Sequence, residues 1–381
     1  MSLRLLHTSD WHLGRSFFDA SLLDDQAWVL EQLLVALRDT RPDALVVAGD
    51  VYDRAVPASD AVRLLDDVLV RIAALGIPAV VIAGNHDSPE RLSFGSRLLE
   101  ASGVHLRGGL EGVQVPIPVA GKGFVYAVPF IDPDVVRGMT GDEEVRGHAA
   151  ATERILAAAR ADAAGRDLPT VLVAHAFVQG AIETPDSERP ISVGTAGSVP
   201  ASALAGFDYV ALGHLHGPQE VAPAVRYSGS LLKYSFAESA HEKGALLVEV
   251  DRGVARVERI PLGQRRDLAR IQGKIADLLS RPDLARHQAD LVEATLEDTD
   301  YVFDARARLQ ARFPHVMNVR RTAAAPGGEA EFMARVAGAA GDDQALFRAF
   351  LSHVNGSPPT DAEAACFAAA VDAVAARERA S

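Results

Sequence analysis

The chain up to residue 262 alternates short apolar runs with amphipathic segments. Residues 44–48 and 79–83 are entirely apolar, a pattern typical of strands that are buried on both faces of a sheet. Residues 25–39 and 59–75 instead repeat apolar side chains at helical spacing. The pattern therefore predicts strands and helices that alternate along the chain.

Further apolar runs continue this alternation, and we predict strands from them at residues 3–8, 124–128, 171–174, 209–212, 244–250 and 255–261. Alternating strands and helices are typical of an α/β domain in which helices flank β-sheets as layers. We therefore assign residues 1–262 to one layered α/β domain.

The pattern changes near Gly263. Residues 268–280 and 301–312 have helical spacing, whereas residues 290–296 and 316–321 resemble strands. These segments predict a small α+β capping domain over residues 263–325, whose end overlaps a linker at 323–328. The Ala-rich segment 329–381 predicts two helices, which are too few to form a core of their own and are expected to pack on something else.

Composition narrows the classes of protein to consider. A hydrophobic fraction of 48% fits a globular chain with a sizeable core. No apolar run approaches the ~20 residues of a membrane span, and the N-terminus lacks a secretory pattern. The single cysteine, Cys366, cannot form an intrachain disulfide, so we expect a cytoplasmic protein with no membrane partner.

The formal charge of −13 argues against a surface that binds nucleic acid everywhere. It does not exclude a nuclease, because bound cations reverse the local charge of an acidic site.

Polar motifs follow five of the predicted buried strands. They are Asp10-Trp11-His12, Gly49-Asp50-Val51-Tyr52-Asp53, Gly84-Asn85-His86-Asp87, Ala174-His175 and Gly213-His214-Leu215-His216. The carboxyl ends of strands line the ligand crevice of open α/β sheets, so we expect these motifs to converge. Residues i and i+2 of an extended segment point the same way, so Asp10 and His12 can face one cation.

The donor types in these motifs suit divalent cations. The two carboxylate oxygens of Asp50 can bridge a pair of cations, and Asn85 offers a neutral oxygen. Mixed imidazole, carboxylate and amide ligands favour Mn, Fe or Zn over Ca. Two cations about 3.5–4 Å apart clamp the attacking and leaving oxygens of a phosphoryl transfer and make hydroxide available near neutral pH.

Taken singly, each motif has an ordinary structural explanation. Gly-Asp after a strand is often a turn, Asn-His-Asp can cap a helix, and His175 can be a core histidine. Five metal-capable motifs in succession, each behind a buried strand, favour a metal centre when considered together.

These motifs, together with the opening residues 6–14, resemble the calcineurin-like metallophosphoesterases. Within that superfamily the chain is similar to bacterial DNA nuclease subunits, as residues 213–216 and 227–230 also indicate. The resemblance implies a layered metallophosphoesterase domain with a capping domain and a helical tail. It also implies Mn²⁺-dependent 3′-to-5′ exonuclease and endonuclease activity on DNA, in repair, recombination and replication.

The resemblance carries site roles onto matching positions. It implies Asp10, His12, Asp50 and His216 as ligands of a first metal, and Asp50, Asn85, His175 and His214 as ligands of a second. His86 would protonate the leaving 3′ oxygen or steady the phosphate, and Asp53 would orient His86 unless it is only a helix-start carboxylate. We expect two Mn²⁺ ions, with Mg²⁺, Fe²⁺ or Zn²⁺ as alternatives.

The resemblance further implies a homodimer, formed by the helices after Asp53 and Asp87, and an ATPase partner with long coiled coils. Residues 329–381 would dock on that coiled coil, the alternative being intramolecular packing. Residues 179–195 are either a substrate loop or a surface excursion. We predict DNA phosphate contacts by Arg15, Arg54, Arg91 and Lys233, for which solvated surface charge is the alternative.

Two rival functions remain open on the sequence alone. One is a phosphatase or small-substrate phosphodiesterase on the same fold, and the other is a scaffold without activity. The capping domain and tail favour a polymeric substrate, and Asp87 stands where protein phosphatases have Glu. A scaffold is disfavoured because all seven expected ligand positions are retained.

Overall fold

The computed structural model describes residues 2–185, 187, 197–300, 302–322, 336, 338–339, 342–355 and 357–378. The chain divides into two compact units, Met1–Leu268 and Ala269–Ser381. The predicted linker at 323–328 lies outside the described residues, as do residues 186 and 188–195 of the predicted substrate loop. The domain boundaries inferred from the sequence stay predictions.

The larger unit is built from strands and helices in alternation. Its strands are β1 (Leu3–Thr8), β2 (Ser16–Phe17), β3 (Ala20–Ser21), β4 (Ala44–Ala48), β5 (Ala79–Ile82), β6 (Val104–Arg107), β7 (Ile117–Val119), β8 (Gly123–Val128), β9 (Thr170–His175), β10 (Phe177–Val178), β11 (Ser198–Val199), β12 (Tyr209–Gly213), β13 (Gln219–Ala222), β14 (Val225–Tyr227), β15 (Gly244–Asp251) and β16 (Val254–Pro261). Its helices are α1 (Leu23–Thr40), α2 (Ser59–Ala74), α3 (Pro89–Leu92), α4 (Ser96–Leu99), α5 (Pro133–Thr140) and α6 (Gly147–Ala164).

Two six-stranded sheets organise this unit, with the strand orders β16-β15-β1-β4-β5-β6 and β13-β14-β12-β9-β8-β7. In the first sheet β1, β4, β5 and β6 are parallel, and in the second β8, β9, β12 and β14 are parallel. The carboxyl ends of neighbouring parallel strands therefore lie at one edge of each sheet. The prediction of a layered α/β fold is confirmed.

The main core lies between the two sheets and consists of every second residue of the facing strands. Leu3 and Leu5 of β1 pack there with Val171 and Val173 of β9. The opposite face of the second sheet packs against α6, which contributes Leu156. Central strands covered on both faces must be apolar throughout, which is why they read as continuous apolar runs.

The smaller unit contains a three-stranded sheet formed by β17 (Leu268–Gly273), β18 (Leu291–Leu296) and β19 (Val316–Arg321). Helices α7 (Ile275–Ser280) and α8 (Ala305–Gln310) accompany the sheet, with Phe313 buried in the core. The prediction of a helix over residues 268–280 is wrong for its first half. Ala269, Ile271 and Gly273 are buried while their neighbours Arg270 and Gln272 are exposed. Burial therefore repeats every two residues, as in a strand, and not every 3.6 residues, as in a helix.

Two further helices, α9 (Asp343–Asn355) and α10 (Asp361–Glu378), follow in the predicted tail. The rings of Phe347 and Phe367 stack with centroids 4.1 Å apart, which pairs the two helices. None of the helices in the described part of the chain combines the length and apolar character needed to cross a membrane.

We expect Gly213→Ala to lower the free energy of unfolding by about 3 kcal/mol. The added methyl group would clash with main-chain atoms, which cannot move aside as a flexible side chain can. A Cβ at Gly213 would lie 1.8 Å from the main-chain oxygen of Ala48, where β12 meets β4 of the other sheet. The measurement is equilibrium unfolding in urea. Gly138→Ala in α5 is the control, since its Cβ would meet no atom within 4 Å. Equal urea midpoints for Gly213→Ala and Gly138→Ala would contradict the close approach of Gly213 to Ala48.

Candidate metal centre

The loops that follow the central strands have an unusual backbone. Asp10, His12, Asp50 and His214 have φ angles of 53°, 45°, 49° and 110°, in the left-handed region that L-residues rarely adopt. Each such residue costs on the order of 1–3 kcal/mol, and such strain tends to cluster at functional sites. The main-chain nitrogen of His12 donates to the carbonyl oxygen of Asp50 at 2.9 Å, which joins the loop after β1 to the loop after β4.

Two glycines allow imidazole and carboxylate groups to lie directly against the backbone. A Cβ at Gly49 would lie 2.3 Å from Nδ1 of His175, and a Cβ at Gly84 would lie 2.1 Å from Oδ1 of Asp50. No side chain larger than hydrogen fits at either place without moving a predicted ligand.

The structure brings the predicted ligands of the first metal together. Donor atoms of Asp10, His12 and His216 all lie within 4.8 Å of one another. The Nε2 atoms of His12 and His216 are 3.1 Å apart, and Oδ2 of Asp50 lies 3.7 Å from Nε2 of His12. All four side chains are buried.

The predicted ligands of the second metal form an adjoining cluster. Oδ1 of Asn85 lies 2.9 Å from Nε2 of His175 and 3.1 Å from Nδ1 of His214. Oδ2 of Asp50 lies 3.5 Å from Nε2 of His175. Because the same oxygen also faces His12, Asp50 lies between the two clusters, as a bridging carboxylate must.

Hydrogen bonding shows that lone pairs face one another in the second cluster. Nδ1 of His175 lies 2.8 Å from the carbonyl oxygen of Ala48, which can only accept, so Nδ1 donates. Nε2 of the neutral ring then presents a lone pair to the Asn85 oxygen. Two acceptors 2.9 Å apart repel each other, and a cation that both can bind removes that repulsion.

The electrostatics keep the imidazoles in the form that binds metal. Burial lowers the pKa of His12 and His214, and nearby histidines lower it further. Burial likewise lowers the pKa of His175. Neutral imidazoles beside two carboxylates and an amide oxygen are a donor set that suits divalent transition-metal ions. The residues therefore fit a pair of divalent cations.

His86 lies beside both clusters, and one of its ring nitrogens lies within 4.8 Å of donor atoms of His12 and Asp50. Its main-chain nitrogen donates to Oδ1 of Asp50 at 2.9 Å, and its Nδ1 lies 2.8 Å from the main-chain carbonyl oxygen of Asp53. Nδ1 must be the donor to that carbonyl, so the ring directs Nε2 elsewhere. This atom lies 4.0 Å from Oδ2 of Asp50, on the side of the ligand clusters.

Asp53 contacts His86 differently from the expectation. The main-chain carbonyl of Asp53 makes the contact to His86 and its carboxylate does not, so the orienting role of that carboxylate stays a prediction. The carboxylate is drawn away by two guanidinium groups, those of Arg15 and Arg54, each 3.6 Å distant. One of its oxygens also lies 3.7 Å from Nδ1 of His12, a buried atom with no hydrogen-bond partner among the described residues.

The four basic residues predicted to contact DNA lie in different environments. Arg54 is 76% exposed, and Arg91 donates to the carbonyl oxygen of Ala55 at 2.9 Å. Arg15 is held over the ring of Tyr234, 4.7 Å from its centroid. The ammonium of Lys233 is buried and lies 2.7 Å from a carboxylate oxygen of Asp267.

Sequence reasoning assigned no role to several buried charged residues around the site. The carboxylate of Asp87 accepts from the main-chain nitrogens of Val51, Tyr52 and Gly84 at 2.8–3.0 Å, which fastens two ligand loops together. Burial raises the pKa of Asp87, with a smaller contribution from Asp50. Its place directly after Asn85 and His86 in the sequence could have indicated a role at the site.

Glu238 and Lys243 lie beside His216, but nothing in the sequence indicated this, because no ligand motif adjoins them.

Comparisons with known proteins place the chain in a family. A family model described as calcineurin-like phosphoesterase matches residues 3–218, and a model described as type 5 capsule protein repressor C-terminal domain matches residues 264–355. A relative from Staphylococcus saprophyticus subsp. saprophyticus, the SbcD subunit of the nuclease SbcCD, is 34% identical over 317 residues, which cover 83% of this chain and 84% of the relative. One solved structure, 14% identical to this chain, is matched over its full length by 69% of the chain with a TM-score of 0.42.

We expect Asp50→Ala to weaken both metal-binding events at least tenfold, because one carboxylate faces both clusters. The measurement is calorimetric titration of Mn²⁺ into protein stripped with a chelator. Asp60→Ala, which removes an exposed carboxylate from α2, is the control and should bind as the wild type does. Two fully occupied Mn²⁺ positions in a crystal structure of Asp50→Ala would rule out the bridging role.

Proposed function

The chain belongs to the calcineurin-like phosphoesterases and, among them, to the SbcD family of nuclease subunits, and on this premise we propose that it is a Mn²⁺-dependent, two-metal DNA phosphodiesterase. It acts as a 3′-to-5′ exonuclease and as an endonuclease in the processing, repair and recombination of DNA ends. The observation that carries the proposal is the position of Asp50 between two ligand clusters, with His86 beside them.

Two bound divalent cations would neutralise phosphate charge and make hydroxide available near neutral pH. The chain itself supplies the ligands and their geometry. Asp10, His12, Asp50 and His216 would hold one cation, and Asp50, Asn85, His175 and His214 would hold the other. Since these donors lie at strand ends with little freedom to move, the phosphodiester is held in a fixed orientation.

His86 is the catalytic residue that handles the leaving group. Its Nδ1 is engaged with the carbonyl of Asp53, so Nε2 is the atom that donates a proton to the leaving 3′ oxygen or holds the phosphate. Asp53 is a positioning residue, since it acts through His86. Its carboxylate also faces His12, with one oxygen 3.7 Å from Nδ1 of that ring.

A DNA substrate is favoured over a small one. The similarity to a nuclease subunit covers 83% of the chain, and the matched C-terminal domain at 264–355 lies outside the phosphoesterase region. A small-substrate phosphodiesterase or phosphatase is therefore not favoured. Of the basic candidates, Arg54, Arg91 and Arg15 adjoin the ligand loops and would contact DNA phosphates. Lys233 is the weakest candidate, because its ammonium is already paired.

We also propose that the protein binds an SbcC-type coiled-coil ATPase, because the named relative is one subunit of a complex. Residues 329–381 would dock on that coiled coil. Phe350 of α9 is 54% exposed and Val374 of α10 is 57% exposed, which leaves apolar surface for such a contact. The cytoplasmic location stays a prediction.

We also propose that the protein is a homodimer through the region that contains α2, α3 and α4. Exposed apolar side chains are concentrated there: Val56, Val62, Val70, Phe94 and Leu98. Phe94 and Leu98 are 86% and 81% exposed, which is unfavourable for apolar groups unless another surface covers them.

His86→Ala should reduce cleavage of DNA at least about 100-fold while Mn²⁺ binding stays within a few-fold of wild type, because His86 gives or steadies a proton and holds no metal. The measurement is shortening of 3′-end-labelled duplex DNA in Mn²⁺, beside calorimetry of the same samples. His105→Ala, which changes a histidine outside the ligand clusters, is the control. Equal loss of metal in His86→Ala would show that His86 is a ligand.

The same assay separates the two substrate classes. The wild type should shorten DNA from its 3′ end. If it leaves DNA intact but hydrolyses bis-(p-nitrophenyl) phosphate rapidly in the same buffer, the small-substrate alternative is correct.

Leu98→Asp should convert the protein from a dimer to a monomer, since a charge placed in an apolar interface is desolvated without a partner. Light scattering on a size-exclusion column distinguishes 40.4 kDa from twice that mass. Phe303→Asp, at an aromatic residue that is 80% exposed in the smaller unit, is the control and should stay dimeric. A monomeric wild type would contradict the proposal.

A further inference from the structure

A buried ion pair lies behind one of the proposed metal ligands. Glu238 ends a short 3-10 turn, Phe236–Glu238, and Lys243 directly precedes β15. Both side chains have no exposed surface, and Nζ of Lys243 lies 2.6 Å from Oε2 of Glu238. Charged side chains are rarely buried so completely unless they are paired, and burying them is costly even then. The pair therefore calls for an explanation beyond stability.

The pair holds His216 at two places. Oε1 of Glu238 lies 3.1 Å from Nδ1 of the imidazole, and Nζ of Lys243 donates to the main-chain oxygen of His216 at 2.8 Å. Lys243 also donates to Oγ of Ser230 at 2.8 Å. The ring and the backbone of one ligand are thus fastened to the same two charges.

The charge on Glu238 decides which nitrogen of His216 is available. Oε2 of Glu238 accepts from the ammonium of Lys243 at 2.6 Å, so the carboxylate is one member of a buried ion pair. An ionised carboxylate only accepts hydrogen bonds, so Nδ1 of His216 carries the proton. Nε2 then presents its lone pair to the first cluster, where it lies 3.1 Å from Nε2 of His12.

We propose that Glu238 and Lys243 are positioning residues of the first metal site, where the carboxylate fixes the tautomer and orientation of His216 and the ammonium holds that carboxylate in place. The inference rests on the proposed function, because it assigns His216 to a divalent cation. Carboxylates that orient metal-bound histidines commonly change metal affinity by ten- to hundredfold when they are removed.

A purely structural ion pair makes a different prediction. Replacing a buried pair by apolar residues of similar size is often neutral or stabilising. If the pair only stabilises the fold, then the double variant Glu238→Leu/Lys243→Met should keep both stability and metal affinity. If the pair positions His216, then the double variant should stay folded and still lose affinity at one site.

The experiment is calorimetric titration of Mn²⁺ into chelator-stripped full-length protein, with thermal unfolding followed on the same samples. We expect the double variant to lose ten- to hundredfold in affinity at one of two binding events, while the other, which depends on Asn85, His175 and His214, changes less than threefold. Glu293→Gln is the control, since it alters a buried, ion-paired carboxylate of the smaller unit. It should bind as the wild type does.

If the double variant does not fold, the Mn²⁺ affinity of Glu238→Gln tests the inference. The amide keeps an acceptor oxygen for Nδ1 of His216 but loses the charge, so we expect a three- to tenfold loss, smaller than for the double variant. Wild-type affinity at both sites, in whichever of these variants is folded, would overturn the inference. A wild type that binds no Mn²⁺ would instead overturn the proposed function, so the two failures are distinguishable.

Discussion

The carboxylate of Asp50 is the group on which the arrangement of the site depends. One oxygen accepts from the main-chain nitrogen of His86, and the other lies 3.5 Å from His175 and 3.7 Å from His12. These imidazoles come from different sheets. A single side chain can contact both only because β4 and β9 end at the same edge of the sandwich.

Holding that carboxylate in place has conformational consequences. The residue adopts a left-handed backbone, and it is packed so closely that Gly84 cannot carry a side chain. Asp87 then ties the loop after β4 to the loop after β5 through three main-chain donors. The surrounding structure thus supports a conformation that the isolated loop would not choose, as expected where strain serves a function.

The carboxylates around the site have distinct effects. Asp87 contacts backbone, Asp53 contacts guanidinium groups and faces His12, and Glu238 contacts the ring of His216. Imidazoles kept neutral by burial need such neighbours to fix which nitrogen carries the proton. An overall charge of −13 is compatible with a phosphodiester substrate under these conditions, since bound cations govern the local charge.

The sequence by itself determined the layered α/β fold and the order of donor types at the strand ends, because burial on both faces makes a strand apolar and a change to polar residues marks where it ends. It also supported the family resemblance, which the comparisons confirm. Only the tertiary structure decided which atom of Asp53 reaches His86, that Lys233 is buried in an ion pair, and that Glu238 lies behind His216. The alternation at β17 is present in the sequence as well, where Ala269 and Ile271 alternate with Arg270 and Gln272. The local pattern of apolar residues indicates only whether each segment is buried. The side-chain contacts instead depend on residues that are distant in the sequence, such as His12 and His216.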